Sequence, residues 1–162
     1  MNFLHRHDSW DVILSNGGPN PKVRDNILSV LGKKVYETLG EVKIETDYFK
    51  MEGYATKSVT SGSMKSSYKK DMLYFFVNKR PVNLNKKFVN LLSQIYRQHN
   101  PNAKYLVILN LTIAPEEYDI NISPDKKEIV FKKTNAIYDE FKKFFEGFLE
   151  EQKATSKMVK FF

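Results

Sequence analysis

Residues 72–113 read MLYFFVNKRPVNLNKKFVNLLSQIYRQHNPNAKYLVILNLTI, and this stretch decides the fold. Its opening, MLYFFVN, is the most hydrophobic segment of the chain. A short apolar run without alternation describes a strand buried on both faces, at a central position in its sheet. Lys79-Arg80-Pro81 interrupts it. Phe88, Leu91, Leu92, Ile95 and His99 then fall on one face of a helix from Leu84 to His99, which Asn100-Pro101 closes. Tyr105–Ile113 is a second buried strand. Strand, helix and strand in this order form the connection that parallel pairing requires. The expected fold class is therefore α+β or α/β, a mixed sheet with helices packed on it.

Working outward, Glu41–Thr56 turns to strand alternation, with Val42 and Ile44 against charges and Phe49, Met51 and Tyr54 around Gly53, which predicts a hairpin. Before it, Asn20 suits an N-cap and Pro21 a first helical position. Val23, Ile27, Leu28 and Leu31 follow at helical spacing, Gly32 ends that helix, and Lys33–Leu39 forms a second short one. Asp11–Ser15 is a short strand candidate running into the turn Asn16-Gly17-Gly18-Pro19. The serine- and lysine-rich residues 57–70 describe a flexible surface loop.

C-terminal to the decisive stretch, Asp119–Ser123 alternates with Ile120 and Ile122 inward, and Lys127–Phe131 alternates again. Pro124 and Asp125 between them fit the central positions of a type I turn, so Lys126 sits at a short, stiff hairpin tip. Ile137, Phe141, Phe144 and Phe148 make an aromatic stripe on a closing helix, a core face. The expected organisation is a loose segment over residues 1–10, one domain over 11–152, and a tail or cut edge over 153–162.

Composition narrows the chemistry. The chain has 162 residues and no Cys, which removes disulfide scaffolds, thiolate zinc sites and cysteine nucleophiles. Three His do not make a metal site, although His5-x-His7-Asp8 could bind a metal adventitiously. The longest apolar run has six residues, far below the roughly 20 that span a bilayer. An intracellular soluble protein with no membrane contact is the expectation. With 26 Lys and Arg against 19 Asp and Glu, the net charge is +7, which favours an anionic partner. No Ser/His/Asp grouping, phosphate-binding loop or dinucleotide fingerprint is present. What remains is a set of cations at turns and helix starts: Lys79, Arg80, Lys86, Lys87, Lys126 and Lys127, suited either to phosphate or simply to a solvated surface.

Sequence pattern shifts that balance. Phe76-Val77-Asn78-Lys79-Arg80-Pro81-Val82 before a helix, and Asp119-Ile120-Asn121-Ile122-Ser123-Pro124-Asp125-Lys126-Lys127-Glu128-Ile129, resemble the MutL family of DNA mismatch repair proteins. Earlier matches are Ser15-Asn16-Gly17-Gly18, Arg24-Asp25-Asn26-Ile27 and Ser29-Val30-Leu31-Gly32-Lys33-Lys34. Ser-Pro-Asp-Lys is most similar to the eukaryotic post-meiotic-segregation branch, and the agreement covers roughly Asp11 to Glu150.

The resemblance implies the transducer domain that follows a GHKL-type ATPase domain, whose own motifs are missing here. It implies a ribosomal-protein-like β-α-β fold with a left-handed crossover, and a fragment that is no enzyme by itself. It further implies that Lys126 contacts the γ-phosphate of ATP held with Mg by the neighbouring ATPase domain. Asp119, Asn121 and Ser123 either brace that turn or make ordinary strand-edge hydrogen bonds. Double-stranded DNA, a MutL-homologue partner subunit and a MutS-type mismatch recognition protein are the implied partners, in the nucleus. Lys65, Lys69, Lys70, Lys79, Arg80, Lys86 and Lys87 are the candidates for DNA backbone contact, with Arg80 equally suited to a structural ion pair. The alternative is a stand-alone basic nucleic-acid-binding module of the same fold.

Overall fold

Asn78 and Lys79 carry positive backbone φ angles of 48° and 68°, which turns the supposed interruption after the apolar run into a tight hairpin. The computed structural model describes residues 20–57, 70–99, 101–102 and 104–160. The segment 1–10, the strand candidate at Asp11–Ser15, and Lys65 and Lys69 lie outside the described residues. In chain order come α1 (Asn20–Leu31), α2 (Lys33–Glu37), β1 (Leu39–Glu45), β2 (Phe49–Thr56), β3 (Met72–Val77) and β4 (Arg80–Val82). They are followed by α3 (Lys86–His99), β5 (Leu106–Ile113), a 3-10 turn (Pro115–Glu117), β6 (Tyr118–Ser123), β7 (Lys126–Phe131) and α4 (Thr134–Lys160).

Five strands form one sheet in the order β1-β2-β5-β3-β4, and β6 with β7 forms a separate ribbon. β3 and β5 pair in parallel across α3, while every other neighbouring pair is antiparallel. The mixed sheet follows from the strand-helix-strand segment. One expectation needs correction: β5, not β3, is the central strand. β3 is flanked by three-residue β4, and its first half is only partly buried.

Helices cover both sheet faces. On one side Val42, Met51, Phe75, Val107, Leu109 and Leu111 pack with α3, α4 and β7. On the other, Tyr54, Phe76, Leu106 and Ile108 pack with Ile27 of α1 and with residues of α2. This two-sided covering is why the first half of β5, Leu106–Leu109, reads as an unbroken apolar run. Phe88 of α3 sits at the aromatic centre of the first layer. Its ring meets Phe131, Tyr138 and Phe141 edge-on at centroid distances of 5.6, 5.5 and 5.6 Å. Such pairs add about 0.5–1.5 kcal/mol each beyond burial.

Three more expectations change. The stripe on α4 runs through Ile137, Phe141, Phe145, Phe148 and Leu149, with Phe144 only half buried at its edge. At spacings of four, Ile137, Phe141 and Phe145 stack along the helix. α3 starts at Lys86 instead of Leu84, because Asn85 caps it: its Oδ1 accepts the Lys87 N–H at 2.8 Å. Ile122 is not inward. It is 71% exposed, because the hairpin tip reaches past the core.

Two turns reveal how local conformation is enforced. Gly32 closes α1 by donating its N–H to the Leu28 carbonyl at 3.0 Å, and its φ of 89° with ψ of 164° is a conformation open to glycine without strain. The β3–β4 turn uses positive φ at both central residues without a glycine, the type I′ geometry that matches strand twist.

Asn78 holds the β3–β4 turn in place: its Nδ2 donates to the Ile113 carbonyl at 2.9 Å and to Tyr118 Oη at 3.1 Å, and its Oδ1 accepts the Ile113 N–H at 3.1 Å. Asn78→Ala removes all three bonds and leaves alanine at positive φ, so thermal unfolding of the 162-residue chain should show a loss of about 2–4 kcal/mol. Lys79→Gly relieves the same backbone strain and should be neutral or gain up to about 1 kcal/mol. Equal melting temperatures for wild type and Asn78→Ala would refute the anchoring role.

The second core layer carries a titration signature. Burial, then the neighbouring Tyr36 and Glu41, push the Tyr54 hydroxyl up to about 12, against a smaller opposing effect of Arg24. The fold thus favours the neutral phenol. Its contribution to stability is fully present below the ordinary value of 10.0 and is lost as pH rises from there through about 12. Urea midpoints should therefore fall more steeply across that window for wild type than for Tyr54→Phe.

Candidate functional site

The β6–β7 hairpin closes on two residues, Pro124 and Asp125, between the paired Ser123 and Lys126. Both have negative φ, as a type I turn requires, and Ser123 Oγ donates to the Lys126 carbonyl at 3.3 Å. The register separates two faces. Tyr118, Ile120 and Ile122 lie opposite Phe131, Ile129 and Lys127, while Asp119, Asn121 and Ser123 lie opposite Val130, Glu128 and Lys126. Facing residues of an antiparallel pair share a side, so Lys126 and Lys127 point to opposite faces.

The ribbon is tied to the body by main chain. The Asn83 N–H donates to the Lys127 carbonyl at 2.7 Å, and the Ile129 N–H donates to the Asn83 carbonyl at 3.0 Å. Lys126 Nζ stands 3.5 Å from Glu128 Oε2, and Asn85 Nδ2 donates to Glu128 Oε1 at 3.1 Å. The lysine side chain remains 58% exposed. A cation with such access, on a backbone fixed at both ends, can meet an anion at little reorganisation cost.

Among the other cations, Lys86 and Lys87 occupy the first turn of α3, beside Asn85. Lys87 is already engaged, with Nζ 4.5 Å from the Tyr138 ring centroid and 3.5 Å from Asn135 Oδ1. Lys79 and Arg80 are exposed at the β3–β4 turn, where the Lys79 N–H donates to Asn110 Oδ1 at 2.9 Å. That turn adjoins Tyr118, at the base of the hairpin. Six strand residues at about 3.3 Å each put it well away from the tip. Lys70 and Lys127 line a groove of about 440 Å³ whose other walls include Met72, Tyr74, Pro81 and Val82.

The basic residues thus fall into separate groups instead of one patch. Ser123 braces the turn, whereas Asp119 and Asn121 are exposed and make no side-chain hydrogen bond among the described residues. Sequence reasoning missed Asn83, Asn85 and Glu128. Glu128 belongs to the same motif as Lys126, two residues beyond it and so on the same strand face, which was the available signal. Among the described residues, no helix is long and apolar enough to cross a membrane.

Fold and site together define a basic α/β module that presents two accessible lysines, Lys126 and Lys127, on opposite faces of a braced hairpin. In overall fold it is similar to the crystal structure of the N-terminal domain of a DNA repair protein, with a TM-score of 0.71 and 23% identity over 93% of this chain and 53% of that one. The family described as "DNA mismatch repair protein, C-terminal domain" matches residues 27–150, and the chain belongs to this MutL family of mismatch repair proteins. It is 37% identical to the DNA mismatch repair protein MutL of Endomicrobium trichonymphae, over 71% of this chain and 19% of the relative. It is 29% identical to the mismatch repair endonuclease PMS2 of Gallus gallus, over 75% of this chain and 15% of the relative. The chain thus spans about a fifth or less of these relatives. Bacterial and eukaryotic members both match, and the family is what they share.

Proposed function

We propose that this chain is the transducer part of a MutL-type mismatch repair ATPase, and that Lys126 contacts the γ-phosphate of a nucleotide held with Mg by a neighbouring ATPase domain. The observation that supports this reading is the placement of Lys126: first residue after a two-residue turn, exposed, and on a strand whose backbone is bridged to Asn83. Here the chain's own residues supply position and charge, not bond making. Lys126 adds a cation where phosphoryl transfer accumulates negative charge, and the turn keeps it from having to search for that place.

Lys70, Lys79, Arg80 and Lys86 are suited to DNA backbone contact, since they are exposed cations without base-reading geometry around them. The eukaryotic-like Ser-Pro-Asp-Lys turn favours the post-meiotic-segregation branch, with a nuclear location, a MutL-homologue partner subunit and a MutS-type recognition protein. By itself the chain should hydrolyse no ATP. The test is hydrolysis by the full-length protein carrying Lys126→Ala or Lys127→Ala. Loss confined to Lys126 supports the phosphate contact. Equal, small effects would refute it and favour a basic nucleic-acid-binding module.

A further inference from the structure

Glu128 is fixed from three sides. Its backbone is flanked by the two Asn83 hydrogen bonds, at the Lys127 carbonyl and the Ile129 N–H. One carboxylate oxygen accepts from Asn85 Nδ2 at 3.1 Å, and Asn85 is itself held as the cap of α3. The other oxygen faces Lys126 Nζ at 3.5 Å. Glu128 is also less accessible than its partner, at 25% against 58%. The Asn85 hydrogen bond thus favours a carboxylate that stays behind when the four-carbon stem of Lys126 extends beyond the tip.

We propose that Glu128 is a latch for Lys126: its anchored carboxylate holds the ammonium at rest and competes for it with an incoming phosphate, so that only a multiply charged anion draws the lysine away. This inference rests on the reading that Lys126 meets the γ-phosphate. Phosphate can win the exchange, because charge-assisted bonds to a more highly charged acceptor are stronger, and Glu128 stays satisfied by Asn85 after release. The latch thus sets a threshold on nucleotide binding while leaving the hydrolytic step alone.

The test is equilibrium binding of the β,γ-imido analogue of ATP to the full-length protein, with saturating ATP hydrolysis measured beside it. Glu128→Gln retains an oxygen for Asn85 but removes the charge facing Lys126. It should bind the analogue about two- to fivefold more tightly, the size expected of an exposed ion pair, with kcat unchanged. Lys126→Ala should weaken binding, and adding Glu128→Gln to it should change nothing further. If Lys126→Ala weakens binding but Glu128→Gln is flat, or if its gain persists without Lys126, the latch is wrong and the phosphate contact stands. If Lys126→Ala alone leaves affinity and hydrolysis unchanged, both ideas fall together.

Discussion

Replacing Lys126 with alanine in the full-length protein is expected to lower ATP hydrolysis by about 10² to 10³, the loss typical of one preorganised charge contact to a transition state. The effect should fall mainly on kcat, because negative charge redistributes around the transferred group and its leaving oxygen in the transition state, and a contact that strengthens there lowers the barrier. Lys127 is the internal control. It is the next residue, has the same charge and a similar exposure, yet it shares a hairpin face with Ile122 and lines a different groove. Its alanine variant should stay close to wild type. Lys126→Arg should not fully restore the rate, since a planar guanidinium delivers charge at a different distance and angle than an ammonium. A uniform, small decrease across Lys126 and Lys127 would mean that the hairpin contributes only general positive charge.

The second large effect concerns the fold itself. Gly53 of β2 lies between β1, where it pairs with Val42, and β5, where it pairs with Leu109. A Cβ at this position would stand 1.9 Å from the Ile108 carbonyl oxygen and 3.0 Å from the Leu109 Cα. Both are backbone atoms of the central strand, so no side-chain rotation can relieve the clash. Gly53→Ala should cost about 4 kcal/mol or more, in the range reserved for severe steric faults. Against marginal domain stabilities of about 5–15 kcal/mol such a loss is a large fraction, so the variant should melt roughly 10 °C or more below wild type and be cleaved faster by protease.

Gly147 provides the contrast. It lies inside α4, where an added methyl group would meet nothing within 4 Å, so Gly147→Ala should stabilise the chain by about 0.5–1 kcal/mol. Circular dichroism melts of the two variants separate the roles of the two glycines. A Gly53→Ala chain melting within a few degrees of wild type would refute the close-approach argument.

Much of this was legible because local physics wrote it into the chain. The parallel β3–β5 pair follows from two apolar runs joined by a helix, since parallel strands need a crossover. Residues 39–56 form a hairpin because apolar residues alternate along them. The lysine at the tip is dictated by Pro124 and Asp125, whose turn preferences are intrinsic. Family membership was carried by short motifs at those same turns.

What the linear chain did not contain was the set of long-range contacts. Asn78 and Lys79 look like a break until Ile113 and Tyr118, from distant strands, supply the bonds that hold positive φ without glycine. Ile122 alternates correctly for a buried residue, but whether an inward face meets a core depends on how far the hairpin overhangs it. Phe145 displaced Phe144 from the stripe because both sit near the apolar face, and only the docking angle of α4 on the sheet chooses between them. Glu128 next to Lys126 was visible as charge two residues away, but the hydrogen bonds that hold it and its neighbours come from Asn83 and Asn85, more than 40 positions earlier. Local preference is encoded residue by residue and can be read from the sequence alone. The partner that satisfies a turn, a cap or a charge is chosen by packing, and for this protein that choice is what sets the lysine in place.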